Sequence, residues 1–162
     1  MHALLSEVPQ IGRVTWIGRS PARRAHIEPM DVVDIDAHGL VGDHHGAAGD
    51  RQVTLVQAEA LAFVASLLGR DVAPEHLRRN VLIAGVNLNS LRQRAFRIGP
   101  DVVLEWTGLC HPCSRMEETL GRGAFQALRG YGGITARVRQ GGRVRRGDEL
   151  RVLPPVSALA ED

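Results

Sequence analysis

Apolar and polar residues alternate along several short segments of this chain. Alternation with a period of two places apolar side chains on one face of a β-strand and polar side chains on the other. The alternating segments are residues 13–17, 32–36, 51–57, 101–107 and 134–139, with a short last one at Leu150 and Val152. Gly and Pro residues separate them. The pattern predicts a mainly β fold, a barrel or a sandwich in which each strand has one solvated face.

Helical patterns interrupt the strands at Gln57–Leu68, after Cys113, and at Ala124–Arg129. The first pattern is followed by Gly69 and the third by Gly130, and glycine is the usual residue after a helix end. In the second, Ser114 followed by Glu117 is the signature of a capping box, which predicts Ser114 as the N-cap. We therefore expect short helices attached to a β fold.

Length and apolar content indicate one domain. The chain has 162 residues, of which 44% are hydrophobic, enough for a single core. We predict a barrel domain over residues 11–153, with terminal extensions at 1–10 and 154–162 and a loose tail after Leu153. No apolar run reaches the length of a membrane span, and the first ten residues lack a signal-peptide pattern. The expected location is therefore the cytoplasm, with no membrane partner.

The basic residues are all of one type. The net charge of +2 is too small to indicate a nucleic-acid partner, and all 20 basic residues are arginine. Without a lysine, no side chain can form a Schiff base with pyridoxal phosphate, so this cofactor is not expected in covalent form. Guanidinium groups instead suit phosphate and other oxyanions.

The segment from Cys110 to Arg115 is the most informative stretch of the chain. If Ser114 caps the helix, the sulfur of Cys113 lies near unpaired N–H groups and the positive end of the helix dipole. Arg115 and His111 add positive charge nearby, and such surroundings favour a thiolate over a thiol. A soft metal or a sulfur-transfer reaction requires a thiolate.

Two other interpretations of the cysteines stay open. Cys113 can be a buried structural cysteine beside a turn, and Cys110 with Cys113 has the C-x-x-C spacing of a redox pair. A thioredoxin-like site follows a strand of a βαβ unit, whereas these predicted strands look antiparallel. A dedicated disulfide oxidoreductase is therefore disfavoured, and a regulatory disulfide between the two remains an alternative.

The segment from Leu40 to Gly46 is the second dense cluster. Its glycines indicate a turn, and Asp43, His44 and His45 offer hydrogen-bonding and metal-binding atoms. Adjacent histidines on an extended strand point to opposite faces, so we expect at most one of them at a common site. Zinc held by one histidine and both cysteines is a weak alternative, since a fourth ligand is not evident. A hydrogen-bonded turn without a ligand is the plainer interpretation.

Arginines flank both clusters. Arg51 lies shortly after the histidines, and Arg129 and Arg137 enclose a glycine-rich turn that can cradle an anion through backbone N–H groups. Arg78 and Arg79 fit either a structural or a binding role. Three further arginines look like the solvated edge of a hairpin: Arg143, Arg145 and Arg146.

These segments together resemble the MOSC domain family over most of residues 11–153. The matching stretches are 39–46, 51–59, Arg79-Asn80, 98–101, 111–115 and 124–148. The resemblance implies a single-domain mixed β-barrel with short helices that binds the molybdenum cofactor, molybdopterin. In this family the cysteine ligates molybdenum or carries sulfur as a persulfide.

The resemblance also implies a set of site residues. Cys113 is expected as the catalytic residue and the metal ligand. The expected cofactor-binding residues are Gly42, Asp43, His44, Arg51, Asn80, Arg115, Arg129, Gly132, Gly133 and Arg137. Accessory residues are Cys110, His45 and His111. Relatives usually have an acidic residue before the asparagine, where this chain has Arg79.

The implied function is molybdenum-dependent reduction of N-hydroxylated compounds or sulfur transfer through Cys113. The alternatives are a non-catalytic sulfur or cofactor carrier and, with less support, a redox-pair or zinc-binding protein. Some relatives are fused to a pyridoxal-phosphate domain that extracts sulfur, and 162 residues leave no room for it. The expected partner is therefore a separate cysteine desulfurase or a separate electron-transfer protein.

Overall fold

The computed structural model of the chain describes residues 1–45 and 49–155. The strands are β1 (Gly12–Arg19), β2 (Glu28–Met30), β3 (Val32–Asp36), β4 (Gly39–Leu40), β5 (Val53–Gln57), β6 (Val81–Ala84), β7 (Ala95–Ile98), β8 (Val102–Leu109), β9 (Ile134–Gln140), β10 (Gly142–Arg145) and β11 (Glu149–Val152). The helices are α1 (His2–Ser6), α2 (Glu59–Leu68), α3 (Ser114–Leu120) and α4 (Ala124–Leu128), with short 3₁₀ helices at Pro74–Leu77 and Leu88–Leu91.

Seven of the strands in the described part of the chain close into a barrel. Around the barrel they follow the order β1, β11, β7, β8, β9, β5 and β6, and β6 pairs with β1 again. Neighbouring strands are antiparallel except β5 and β6, which are parallel and are joined through α2. The mixed β-barrel that the resemblance implied is therefore confirmed. A second sheet of β10, β3 and β4 contributes to the same core.

Two apolar clusters hold the domain together. The larger fills the barrel and includes Leu55, Ile83, Phe96, Leu104 and Ile134. The smaller lies between the barrel wall and the helices, and it includes Val64, Leu77, Met116, Leu120 and Leu128. Full burial of one such side chain contributes roughly 1.5–3 kcal/mol. The second cluster therefore anchors α3, the helix that follows Cys113.

The alternating segments form strands as predicted, but some strands lack alternation. In β6, Val81, Leu82 and Ile83 are all buried, because one face contacts the barrel core and the other the helix cluster. A strand buried on both faces has no polar positions, so periodicity did not find it. β7 and the short strands β2 and β4 were also not predicted as strands.

The three predicted helices are present, with corrections at their starts. α2 begins after Gln57, which belongs to β5, and Gly69 caps it with a φ of 68°. The predicted capping box of Ser114 and Glu117 is wrong. Cys113 rather than Ser114 is the N-cap of α3, and the Glu117 carboxylate accepts hydrogen bonds from the backbone of residues 123 and 125 instead.

The structure bears on both predicted terminal extensions. Helix α1 lies in the stretch 1–10 that was predicted only as an extension. Most of the predicted loose tail, from residue 156 onward, lies outside the described residues. Among the described helices, none has the length and apolar character needed to cross a membrane.

Candidate functional site

Cys113 is an exposed free cysteine at the N-cap of α3. Its backbone is extended, and its carbonyl accepts a hydrogen bond from the amide of Met116 at 3.0 Å. Met116 and Leu120 are buried on the inner side of the helix. Packing of α3 against the barrel therefore holds Cys113 at the surface, where its side chain lines a cavity of about 270 Å³.

Six arginines line the same cavity, which we call the arginine pocket. They are Arg23, Arg24, Arg51, Arg78, Arg79 and Arg115. The acidic residues among its lining are Asp43 and Glu118, and Glu118 pairs with Arg115 at 3.1 Å. Positive charge therefore exceeds negative charge around Cys113, which suits an anionic ligand.

Arg79 is the arginine that the structure buries most completely, at 2% exposure. Its guanidinium donates to two backbone carbonyl oxygens, from Nε to Gly132 at 2.8 Å and from Nη2 to His111 at 3.0 Å. Burial lowers the pKa of Arg79, and the nearby Cys110 and Cys113 partly oppose that shift. Among the described residues no carboxylate pairs with it. Arg79 thus links the cysteine segment to the glycine-rich turn from beneath the pocket.

Asp43 connects the turn at residues 41–45, which we call the histidine turn, to the barrel. One carboxylate oxygen accepts from the backbone amide of Ser20 at 2.7 Å, and the other from the backbone and ring of His45 at 3.2 Å. Its side chain is 1% exposed. Burial raises the pKa of Asp43, but the hydrogen bonds from His45 and Ser20 outweigh burial and the pKa is lowered overall. The carboxylate is therefore held ionised and is used within the fold.

The two histidines lie together, which corrects the expectation that they point to opposite faces. Their ring centroids are 3.8 Å apart, because the segment is a turn and not a strand. The Nδ1 of His44 lies 3.1 Å from the carbonyl oxygen of Ser20, and the Nδ1 of His45 lies 3.2 Å from Asp43. Both partners are acceptors, so each Nδ1 donates to its partner, and neither Nε2 atom has a hydrogen-bond partner among the described residues.

Asn80 lines the arginine pocket, yet its amide is engaged inside the protein. Its oxygen accepts from the amide and hydroxyl of Thr54 at 3.0 and 3.1 Å. Its nitrogen donates to Gly18 at 3.2 Å and lies 3.4 Å from Asp43. Asn80 therefore fastens β1, β5 and the histidine turn together behind the pocket.

Cys110 faces a different cavity from Cys113. It is 3% exposed, and it lines a cavity of about 760 Å³ on the other side of the cysteine segment. Aromatic and apolar side chains dominate the wall of this second cavity, which we call the aromatic cavity. Its lining includes Trp106, Leu109, Cys110, His111, Phe125, Arg92, Arg129, Gly132 and Gly133. Both cysteines are free.

The predicted site residues therefore divide between the two cavities. Those in the arginine pocket are Asp43, His44, His45, Arg51, Asn80, Cys113 and Arg115. Those in the aromatic cavity are Cys110, His111, Arg129, Gly132 and Gly133. Gly42 and Arg137 are among the lining of neither, and Arg137 pairs with Glu105 at 3.0 Å and Asp50 at 3.6 Å.

The glycine-rich turn has a structural reason for its glycines. A side chain at Gly132 would collide with the carbonyl oxygen of Cys110, and one at Gly133 with the carbonyl oxygen of Leu55. Gly133 also has a φ of 94°, which other residues rarely adopt. The turn packs backbone against backbone, which places the Gly132 carbonyl where Arg79 reaches it. Gly42 has a φ of 86° and lies against Arg19.

Arg23 and Arg24 were not predicted as pocket residues, and the sequence left Arg78 and Arg79 open between a structural and a binding role. Arg23 and Arg24 come from the loop after β1, and Arg78 precedes Arg79. Arg24 and Arg78 have φ values of 64° and 53°, uncommon for residues other than glycine. The sequence contains one indication of these residues, namely two pairs of adjacent arginines in predicted loops. No local pattern indicates that the two loops meet in the folded chain.

Comparison with protein-family models identifies one family. The model described as "MOSC domain" matches residues 41–151. That span contains the histidine turn, the cysteine segment and the glycine-rich turn, and it covers more than half of the chain. A comparison with curated proteins finds no match.

Solved structures show the same fold at low sequence identity. The crystal structure of the YUAD protein from Bacillus subtilis superposes with a TM-score of 0.80 and 24% identity, covering 88% of this chain and 96% of that one. YiiM from Geobacillus stearothermophilus has a TM-score of 0.72 and 15% identity, covering 88% and 75%. YiiM from Escherichia coli has a TM-score of 0.70 and 18% identity, covering 89% and 71%.

Proposed function

This chain belongs to the MOSC domain family, a molybdenum-cofactor-related family, and we propose that its arginine pocket binds the molybdenum cofactor with Cys113 as the metal ligand. The observation that supports this proposal most directly is that an exposed cysteine and six arginines line one cavity. Thiolates are soft ligands for transition metals, and guanidinium groups bind phosphate through paired hydrogen bonds. The donor set therefore fits a cofactor that carries both a thiolate-binding metal and a phosphate.

The chain's own residues have distinct tasks in this proposal. Arg23, Arg24 and Arg51 provide guanidinium groups for the phosphate. Arg79 holds the cysteine segment in place through the His111 carbonyl, so that Cys113 faces the pocket. Asp43 and Ser20 fix the two imidazoles, whose Nε2 atoms have no partner within residues 1–45 and 49–155 and are therefore available for a hydrogen bond to a ligand in the pocket.

The expected reaction is the reduction of an N-hydroxylated compound. Two electrons and two protons convert the N–OH group to N–H and water, and the bound cofactor would supply the redox chemistry. The electrons require a separate electron-transfer protein as partner. This reaction also matches the exposed position of Cys113, since both the substrate and a redox partner need access to the centre.

Metal and pterin analysis of the purified chain tests the proposal. Protein from a cofactor-producing host is expected to contain molybdenum and the pterin, while Cys113→Ser and a double Arg23→Gln, Arg51→Gln variant lose most of both. Arg97→Gln is the matched control, because Arg97 is an exposed arginine on β7 outside the pocket. Wild-type protein without molybdenum would refute the proposal.

Sulfur transfer is the second candidate, because the same exposed thiol can accept sulfur. The Cys113 thiolate would attack the outer sulfur of a cysteine desulfurase persulfide, the donor S–S bond would break, and the donor thiolate would leave. Incubation with the desulfurase and cysteine, followed by mass spectrometry, is expected to add the mass of one sulfur atom to Cys113. An unmodified Cys113 after this treatment argues against the carrier function.

A further inference from the structure

Helix α1 has apolar side chains that no other part of the described chain covers. None of its residues, His2–Ser6, is buried, and Leu4 and Leu5 are 73% and 75% exposed. Met1, directly before the helix, is 93% exposed. A helix shorter than about 12 residues is only marginally stable in water by itself. Five helical residues with an open apolar face therefore need a surface to pack against.

The end of α1 is fixed close to the aromatic cavity. Arg94 donates from Nη1 to the carbonyl oxygen of Ser6 at 2.7 Å, and Val8 packs against the barrel core. The carbonyl oxygen of Arg94 accepts from the amide of Trp106 at 3.0 Å, and Trp106 lines the aromatic cavity. Yet α1 contributes no residue to the lining of that cavity. The helix thus starts beside an apolar cavity of its own chain and leaves it open.

The aromatic cavity has the size and the polarity to receive the side chains of α1. Leu109 and Phe125 line it and are 54% and 40% exposed. Its volume is about 760 Å³, which is in the range of cavities that enclose a small molecule and leaves room for two leucine side chains. Exposed apolar side chains around a concave site mark interaction surfaces. One chain therefore has both an uncovered apolar helix and an apolar cavity that accommodates it.

The two surfaces are also complementary in charge. Glu7 follows α1 directly, is exposed, and makes no ion pair within residues 1–45 and 49–155. The lining of the aromatic cavity includes Arg92 and Arg129 but no acidic residue. Among the described residues Arg92 contacts only the ring of Trp106, and Arg129 donates to the amide oxygen of Gln126 at 3.3 Å. An unpaired carboxylate at the end of α1 therefore matches unpaired guanidinium groups at the cavity.

We propose that α1 packs into the aromatic cavity of a second copy of this chain, so that two chains exchange their N-terminal helices around a two-fold axis. Leu4 and Leu5 contact the partner's Phe125 and the partner's Leu109, and Glu7 pairs with the partner's Arg92. One such contact is small, whereas a specific interface buries roughly 1,200 Å² or more. Two-fold symmetry forms the same contact twice, which favours a second copy over a different partner. The interface does not depend on molybdenum or on the proposed function of Cys113.

Sedimentation velocity of the full chain tests the interface. Protein from a host that makes no molybdenum cofactor is expected to shift reversibly from monomer to dimer over roughly 1–200 µM. The double variant Leu4→Ser, Leu5→Ser is expected to weaken dimerisation more than about tenfold, because two apolar side chains leave the interface. Leu67→Ser is the matched control, since Leu67 is 57% exposed on α2 outside the cavity lining and should dimerise like wild type.

A charge exchange tests the pairing of Glu7 with the partner's Arg92. Glu7→Arg and Arg92→Glu are each expected to weaken the dimer about three- to tenfold, because each places like charges together. The double variant restores an ion pair of opposite direction, so its dissociation constant is expected to return to within about threefold of wild type. A double variant as weak as the two losses combined would show that these side chains do not meet.

Three other results overturn the exchange. A chain that stays monomeric at every concentration has no such interface, and α1 would then cover the cavity of its own chain or remain free. A dimer that survives the double leucine substitution uses another surface. Equal weakening by Leu67→Ser would indicate unspecific apolar association. A chain that dimerises as expected but lacks molybdenum when it comes from a cofactor-producing host would refute only the proposed function.

Discussion

The two sides of the cysteine segment differ in almost every property although only two residues separate the cysteines. Cys113 is exposed in a cavity lined by six arginines, whereas Cys110 is 3% exposed beside aromatic side chains. The segment turns from strand β8 into helix α3 between them. The comparison teaches that C-x-x-C spacing does not by itself create one site, because the backbone of this segment forms a wall between two cavities.

The largest expected effect comes from exchanging one cysteine at a time. Cys113→Ser should lower the molybdenum content more than tenfold, or abolish sulfur loading, while its free energy of unfolding stays within about 0.5 kcal/mol of wild type, as for most exposed positions. Cys110→Ser should keep the molybdenum content and lose about 1–3 kcal/mol, because it buries a hydroxyl among apolar groups. Elemental analysis and urea unfolding measure the two effects.

A Cys110→Ser variant that loses molybdenum without losing stability would contradict the division between the two sides. It would instead support a cysteine pair that acts together. Thiol counting under oxidation provides the companion measurement, since a regulatory disulfide predicts that both free thiols disappear at once.

Arg79→Met tests the connection between the two sides. The substitution leaves the carbonyl oxygens of Gly132 and His111 without their donor. It also relieves the desolvation of a buried charge, so we expect a net loss of about 1–3 kcal/mol in urea unfolding. Arg78→Met is the matched control, because Arg78 is only partly buried and donates one bond, to Ala25 at 3.0 Å.

Equal or higher stability of Arg79→Met would show that the desolvation cost exceeds the two hydrogen bonds. Arg79 would then be retained for binding and not for the fold. Molybdenum content of the same variant separates these roles, since a purely structural residue can be replaced without a selective loss of metal.

Asp43→Asn tests the histidine turn through pH. The pKa of Asp43 is lowered in the folded chain, since its hydrogen bonds outweigh burial. The ionised Asp43 carboxylate therefore stabilises the folded state fully above the ordinary carboxyl pKa of about 4. This stabilisation is lost as the pH falls through the lowered pKa of the folded state. We expect Asp43→Asn to cost about 1–2 kcal/mol at pH 7 and less in acid. Urea unfolding at pH 7 and pH 3 measures the difference.

Asp36→Asn is the control for that experiment, because exposed Asp36 accepts one bond from the amide of His38 at 2.8 Å. A loss at Asp43 that is the same at both pH values would contradict an ionised carboxylate at the centre of the turn.

The smallest effect is expected on the outer face of the barrel. Hydrogen bonds from Arg139 and Arg137 lower the pKa of Glu105 to about 2. Its stabilisation is therefore present above about pH 4.5 and lost as pH falls toward 2. Because both partner arginines are about half exposed and water screens the ion pairs, Glu105→Gln should cost only about 0.5–1 kcal/mol in low salt and less in high salt. Thermal unfolding at two salt concentrations measures it.

The same variant tests whether Arg137 takes part in cofactor binding. Glu105→Gln removes the nearer of the two carboxylate partners of Arg137 and leaves Asp50, yet the molybdenum content should stay unchanged if Arg137 lies outside both cavities. An increase or a decrease in cofactor content would support the cofactor-binding role that the resemblance implied.

Local patterns predicted much of the fold. Alternation identified strands such as β8 and β9, whose inner residues Leu104 and Ile134 are buried. Local patterns did not identify β6, where burial on both faces removes alternation, and they wrongly predicted the capping box, because Glu117 accepts hydrogen bonds from amides at the start of α4. Both failures have one cause. The deciding contacts are made by residues that are not neighbours within the element.

The amino-acid sequence by itself determined the candidate cysteine segment, the all-arginine basic charge, the glycine positions and most strands, because each depends on residue type or local spacing. Only the tertiary structure decided which residues share a cavity. Closure of the barrel brings Ser20, Asp43 and Arg79 next to Cys113, and it sends Arg129 and Gly132 to the side of Cys110. Such groupings follow from strand pairing over long chain separations, which local periodicity does not encode.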